Sequence, residues 1–337
     1  MVDLSTSYMG IPLRNPLIVG ASALTANMAT IRKIEEMGAG ALVTKSLFEE
    51  QIQLERDIFD EDLHKYDYRN AEMINVSPDV SHSGPKQHLM WVREAKKAVR
   101  IPVIASLNAV NSETWLEYAR LLAETGVDAL ECNLFASPRE LDRDGSSIEG
   151  EQLALVESLT KAVSIPVSFK LSFLYSNPLN VIHRMDQAGA AAFVLFNRLL
   201  EPDIEIEDEK HIYPFNLSHE TDYRLPLRYT GLLEGNIRAD ICSSTGIFSG
   251  KDAVKMILAG ANTIQVVTAL FRYGTGHLRK MLEDMTNWMD GKGYRDLSAF
   301  RGKLARRNVS DVRAYTRAQY VKLLMNPDEI LKHYPVL

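Results

Sequence analysis

The stretch DICSSTGIFSGKDAVKMILAGANTIQVVTAL, residues 240–270, decides the fold. A short apolar run (240–246) reads as a strand. KDAVKMILAG (251–260) has helical spacing and ends on a glycine. TIQVVTAL (263–270) is β-branched and apolar, and reads as a second strand. A strand, a helix and a strand in so few residues form a βαβ unit, which implies parallel strands and a right-handed crossover.

The same beat recurs outward from this unit. PLIVGAS (16–22), GALVTKS (40–46), PVIASLN (102–108), ALECNL (129–134), PVSFKLS (166–172) and AFVLFN (192–197) complete a set of eight strands. Between them lie helical segments. TANMATIRKIEEMG has Thr25 as a candidate cap and Gly38 as a stop, and SETWLEYARLLAETG is amphipathic. Eight such units predict a closed (β/α)8 TIM barrel. An open doubly wound sheet is the rival, weakened by the absence of a glycine-rich turn after the first strand. Two stretches interrupt the beat: 48–84, and the acidic segment EPDIEIEDEKHIYPFN (201–216), which is placed only as solvent-facing. The expectation is a single domain over 1–337, with a C-terminal helical extension from about 294.

The chain of 337 residues is 46% hydrophobic and 24% charged, with a net charge of −6. That balance attracts neither nucleic acid nor anionic lipid in bulk. No apolar run reaches membrane-spanning length, so the expectation is a cytoplasmic protein without an anchor. Cys132 and Cys242, the only two cysteines, lie inside apolar strands. A disulfide framework, a cysteine zinc site and an iron–sulfur cluster are therefore not expected, and no metal is assigned.

In a barrel the C-terminal strand ends form the active face. Polar residues gather there: Ser22; Thr44, Lys45 and Ser46; Asn108; Asn133; Lys170 and Ser172; Asn197; Ser243, Ser244 and Thr245; Thr268. One asparagine at a strand end is an ordinary turn former. Three asparagines and two lysines on one rim are costly to bury unless bonded. Amides suit a ring bearing carbonyls and N–H groups, and lysine suits negative charge beside such a ring. STG and VTAL place small residues at helix starts near the last two strands, where barrels hold phosphate.

On these pieces, in this order, the chain resembles the dihydroorotate dehydrogenase family of FMN barrels. The matching segments run from NPLIVGASA, GALVTKS, PVIASLN, ALECNL, FKLS and VLFN to the 244–270 stretch, and the likeness extends to YRDLSAFRGKL (294–304). The resemblance implies FMN as cofactor. It implies flavin contacts from Ala21, Ser22, Ala23, Lys45, Asn108, Asn133 and Lys170, and a phosphate cradle of Ser244, Thr245, Gly246, Val267 and Thr268. Substrate would meet Lys45, Asn133 and Asn197. The implied reaction moves hydride from a substrate carbon to flavin N5 while a base takes a proton from the neighbouring carbon. The sequence does not give the electron acceptor; with no N-terminal membrane-binding segment expected, a soluble acceptor such as fumarate is favoured over a quinone, and the resemblance to soluble members implies a homodimer.

The base position is where the pattern departs. The family places Cys or Ser before a proline just after the strand-four asparagine. Here the text is Asn133-Leu134-Phe135-Ala136-Ser137-Pro138-Arg139. Counting from Asn133 puts Ala136 in the position; counting back from Pro138 puts Ser137 there, and both registers stay open. Cys132 points opposite to Asn133 by strand alternation and reads as a wall residue. Arg139 and Arg198 stand where the family has polar neutral residues. They suit a substrate with extra anionic groups or simple salt bridges. Two rival functions remain: a non-redox barrel using Lys45 or Lys170 as base or Schiff-base amine, and a flavin-binding relative without the chemistry.

Overall fold

The structure is a computed structural model that describes residues 2–49, 52, 85–109, 111–135, 141–198, 202–212 and 217–311, together with Tyr315, Val321, Met325, Asp328 and Lys332. The chain begins with an antiparallel hairpin, β1 (Thr6–Tyr8) and β2 (Ile11–Leu13). The parallel strands are β3 (Leu17–Val19), β4 (Ala41–Val43), β6 (Val103–Asn108), β7 (Ala129–Leu134), β8 (Val167–Leu171), β9 (Ala192–Leu195), β12 (Asp240–Ser243) and β13 (Thr263–Val266), with a short β5 (Leu47–Phe48) lying beside β6. Among the described residues these eight close a ring in the order β3–β4–β6–β7–β8–β9–β12–β13, and β13 returns to pair with β3. The (β/α)8 barrel expected from the sequence is the observed fold, and the open sheet is excluded by that last pairing.

Alternation along the strands makes two apolar shells. Ile18, Ala41, Val43, Ile104, Ala129, Ala192, Val194 and Cys242 face the barrel axis. Leu17, Val19, Leu42, Val103, Leu130, Cys132, Phe169, Phe193 and Leu195 face the helices. Each large side chain buried in these shells contributes about 1.5–3 kcal/mol. Tyr8, Met9 and Leu13 of the N-terminal hairpin pack onto the inner shell and close the floor of the barrel. Asp240 locks that floor. It accepts from the Met9 N–H at 2.7 Å and from Asn262 Nδ2 at 2.6 Å, while Asn262 Oδ1 accepts from the Ile241 N–H at 3.0 Å.

The outer layer comprises α1 (Met28–Glu36), α2 (Pro85–Ala98), α3 (Ser112–Ala123), α4 (Gly145–Ala162), α5 (Pro178–Gln187), α6 (Arg224–Leu233), α7 (Gly250–Ala259), α8 (Thr268–Tyr273) and α9 (His277–Lys292). Local chemistry sets their starts. Asn27, Asn111 and Asp144 accept from backbone N–H groups of the first turns of α1, α3 and α4, and Ser249 and Asp252 form a reciprocal box on α7. Asn27, not Thr25, caps α1. Thr25 is buried in a 3-10 turn, its hydroxyl donating to the Ser22 carbonyl.

The structure refines or adds to other readings, and the acidic segment is solvent-facing as expected. The last strand ends at Val266 rather than 270, because the N–H groups of Leu270 and Phe271 turn back to the Val267 carbonyl and start α8. The acidic segment holds an exposed hairpin, β10 (Asp203–Glu205) with β11 (Lys210–Ile212). Helix α6, which fills the gap before β12, was not anticipated. Residues 294–311 run as turns and a 3-10 helix at Arg306–Asn308. Most of 312–337 and of the 48–84 stretch lies outside the described residues, as do 136–140.

Candidate active site

The observed strands are shorter than the apolar runs, so most of the rim residues sit on the turns just beyond them. Asn108, Asn133 and Lys170 remain on their strands. Register sets Asn133 directly beside Lys170 across β7 and β8. Both belong to the set facing inward, with Glu131 one alternate position below Asn133. Lys170 is 9% exposed and lines a cavity of about 390 Å³ at the C-terminal mouth. That volume lies within the roughly 300–1,000 Å³ of small-molecule and cofactor sites.

The cavity wall brings together Ala21, Ser22 and Ala23 after β3, Asn197 and Arg198 after β9, Ser244 to Gly246 after β12, and Val267 and Thr268 after β13. Lys45, Asn108 and Asn133 belong to the other arc of the mouth and do not line this cavity. Lys45 is exposed, whereas Asn108 and Asn133 are half-buried. Asn133 Oδ1 is buried and has no hydrogen-bond partner among the described residues, so it is an acceptor held ready beside Lys170. Ser137 and its rival Ala136 lie outside the described residues, as does Arg139.

The Ser244–Gly246 turn is shaped by backbone geometry. Thr245 and Gly246 both take left-handed conformations, φ 76° and 74°. For threonine this is a strained region, and its hydroxyl is anchored by donating to the Phe196 carbonyl at 2.9 Å. At Gly246 a Cβ would stand 2.3 Å from the Tyr223 nitrogen, so only glycine lets the turn pack there. Ser218 joins the wall from across the fold: its hydroxyl lies 2.9 Å from Thr268 Oγ1, and its N–H donates to the same oxygen at 3.3 Å.

Several rim hydroxyls are already committed. Ser46 and Ser106 share a hydrogen bond at 2.7 Å, Thr44 accepts from the Ser106 N–H, and Ser243 pairs with Thr230 at 2.8 Å. Arg198 forms a salt bridge with Asp222 at 2.6 Å. Cys132 lies in the outer shell, and burial raises its thiol pKa well above the usual range, with Glu131 adding to the effect. Burial likewise pushes Cys242 up to about 12. His88, in the first turn of α2, is pushed down to about 4, first by burial and second by the charge of Lys45.

The sequence reading missed Ser218, Gln265 and Glu131. Gln265 lies at the cavity floor, with its Nε2 donating to Glu131 Oε2 and its Oε1 accepting from Lys170 Nζ at 3.4 Å. Burial raises the Glu131 pKa, against the opposing effects of Lys170 and Gln265. Among the described residues no group of three or more His, Cys, Asp or Glu is placed to hold a metal ion, and no helix is long and apolar enough to cross a membrane.

A closed parallel barrel with its cavity at the C-terminal mouth defines an α/β-barrel enzyme. The family model described as dihydroorotate dehydrogenase matches residues 3–289, and the chain belongs to that family, whose members are dehydrogenases acting on CH–CH bonds. Its relatives include a Thermoplasma volcanium protein named dihydroorotate dehydrogenase B (NAD(+)), catalytic subunit, 29% identical over 91% of this chain and 100% of the relative. An Escherichia coli protein named NAD-dependent dihydropyrimidine dehydrogenase subunit PreA is 24% identical over 97% of this chain and 82% of the relative. A chloroplastic dihydropyrimidine dehydrogenase (NADP(+)) of Arabidopsis thaliana is 21% identical over 89% of this chain and 76% of the relative.

Proposed function

We propose that this chain is an FMN-dependent oxidoreductase that oxidises the CH–CH bond of a reduced pyrimidine ring, with dihydroorotate as the simplest substrate. The observation that carries it is the placement of Lys170 and the left-handed Ser244–Gly246 turn in one cavity wall. A cation and a left-handed backbone turn in the same cavity suit a ring joined to a phosphate. The orphaned Asn133 oxygen, beside Lys170, suits an N–H of such a ring.

A bound FMN would supply the two-electron redox chemistry. The chain's own residues bind, orient and exclude water. Lys170 presents positive charge to the ring edge. Ser244, Thr245, Gly246, Val267 and Thr268 would hold the phosphate, with Ala21 and Ser22 allowing close backbone approach. Asn133, Lys45 and Asn197 would orient the substrate. Ser137 is the proposed proton acceptor, since an alanine at 136 has no group to receive a proton.

Relatives named for dihydroorotate and for dihydropyrimidine both match most of the chain. The salt bridge of Arg198 to Asp222 offsets a charge that would otherwise draw a carboxylated ring, which favours testing an uncharged ring in parallel. The NAD(+) in relatives' names supports a nicotinamide acceptor alongside fumarate.

The test is an absorbance spectrum of the purified protein, followed by anaerobic addition of dihydroorotate or dihydrouracil. The expected result is a flavin band that bleaches with one of them. A colourless protein that takes up no added FMN refutes the reading. A flavin that neither substrate bleaches points to a binding relative without the chemistry. Reoxidation by fumarate or by NAD(+), and the mass in solution, address the acceptor and the dimer.

A further inference from the structure

Glu131 is the feature that the proposed chemistry leaves unexplained. It stands on β7 inside the barrel, 1% exposed, among Tyr8, Cys242 and Ser168. A carboxyl group there is expensive to bury, and an apolar side chain of similar volume would serve stability better. Its Oε2 accepts from Gln265 Nε2, and its Oε1 is buried without a hydrogen-bond partner among the described residues.

The amide between Glu131 and Lys170 can be oriented in only one way. An ammonium donates and never accepts, so the Gln265 oxygen must face Lys170, which leaves the NH2 for Glu131. Gln265 is itself 2% exposed and comes from β13, so the three residues tie two separate parts of the ring together. A lysine side chain is long and carries much rotamer freedom. Among the described residues, Gln265 supplies the hydrogen bond that fixes Nζ at the cavity wall.

We propose that Glu131 is a positioning residue for Lys170: acting through the Gln265 amide, it holds the ammonium at the cavity wall and moderates the positive field presented to the bound ring. The inference rests on the flavin reading above. Lys170 and the Gln265 amide both favour the ionised carboxyl against the burial that disfavours it, and in that form its negative charge, one bridge removed from the cavity, partly offsets that of Lys170. Removing the charge while keeping the shape strengthens the field and favours the reduced, more negative ring. Removing the amide lets Lys170 fall back toward Glu131 and weakens the field.

The experiment compares the flavin midpoint potentials of the parent, Glu131→Gln and Gln265→Leu proteins, with flavin affinity and urea unfolding measured on each. The expected result is a two-electron reduction equilibrium shifted about tenfold toward the reduced form in Glu131→Gln, which is ~30 mV upward. A shift of the same order in the opposite direction is expected in Gln265→Leu. A purely structural role would lower stability in both variants and leave the potential in place. Glu131→Gln protein that holds flavin at the parent potential overturns the inference and leaves the flavin reading standing. If Glu131→Gln does not fold, Gln265→Leu decides alone: a lowered potential supports the tether, and an unchanged one overturns it. A parent that binds no flavin overturns both readings.

Discussion

A methyl group added at Gly246 would have nowhere to go. The backbone there is at φ 74°, and the new Cβ would stand 2.3 Å from the Tyr223 nitrogen and 2.8 Å from the Asp222 carbonyl carbon. These are backbone atoms, which cannot rotate away. The left-handed conformation costs an alanine about 1–2 kcal/mol. Overpacking of this kind adds about 1–3 kcal/mol. Gly126 provides the control: its φ is 88°, but no atom lies within 4 Å of the position, so Gly126→Ala carries the conformational cost alone. The difference between the two variants therefore isolates the contact with 222–223. Movement of that segment would disturb Asp222, which holds both Arg198 and the His219 N–H, and through them one side of the cavity. Urea unfolding and FMN binding by fluorescence quenching read the two routes by which strain can be relieved. Gly246→Ala should lose about 1–3 kcal/mol more than Gly126→Ala, as lower stability, weaker flavin binding or both. At 1.4 kcal/mol per tenfold, that is roughly 5- to 150-fold in affinity if the strain falls wholly on binding. Identical unfolding curves and identical FMN affinities for the two variants would refute the packing argument for the cradle.

Ser137→Ala should slow substrate-dependent bleaching of the flavin by roughly 10²- to 10⁴-fold, the usual contribution of a positioned base; bleaching at the parent rate removes Ser137 from that role. Cys132→Ala should retain substrate oxidation within about twofold of the parent while losing about 1 kcal/mol of stability, because the thiol packs in the outer shell. A loss of bleaching without a loss of stability would show that its assignment to the wall is mistaken. His88 should make the fold less stable in acid. Its folded pKa of about 4 lies below the ordinary 6.5, so its contribution is present above 6.5 and is lost as the pH falls through 4. The bound is about 3 kcal/mol, and His88→Gln should flatten that part of the unfolding profile. Parallel profiles for parent and variant would count against it.

The barrel was legible because a parallel strand buried on both faces must be a continuous apolar run, and each run is separated from the next by helical spacing. The parity argument at 132–133 was equally readable: Cys132 packs with the outer shell while Asn133 stands in register with Lys170. Glu131 was within reach of the same parity, as a charged residue two positions before Asn133 in an apolar run. Ser218 had no local signal. It lines the cavity and bonds there to Thr268, fifty residues away in the chain. The end of the last strand was misjudged because β-branched Val266 and Val267 suit a strand, while the turn at Val267 is imposed by the helix that follows. The hairpin at 203–212 is short and mostly charged, and helix α6 is amphipathic but carries Pro226 and Gly231, which read as breakers in the sequence. The choice between Ala136 and Ser137 falls on residues outside the described ones, and spacing alone leaves both registers open.

The pairing of Ile264 with Leu17 joins segments nearly 250 residues apart in the chain. On a ribosome, β3 is made early and must wait for β13 before it gains its second neighbour. Contacts of such long range are slow to form, because the entropy of closing the loop is spent before the contact is gained. Gly20, Ala21 and Ser22 lie on one side of that seam, and Gln265, Val267 and Thr268 on the other. The cavity wall is thus completed by the same event that seals the cylinder. A ligand spanning the seam would bind only the closed form, and would act during biogenesis as a clasp on the final step of assembly.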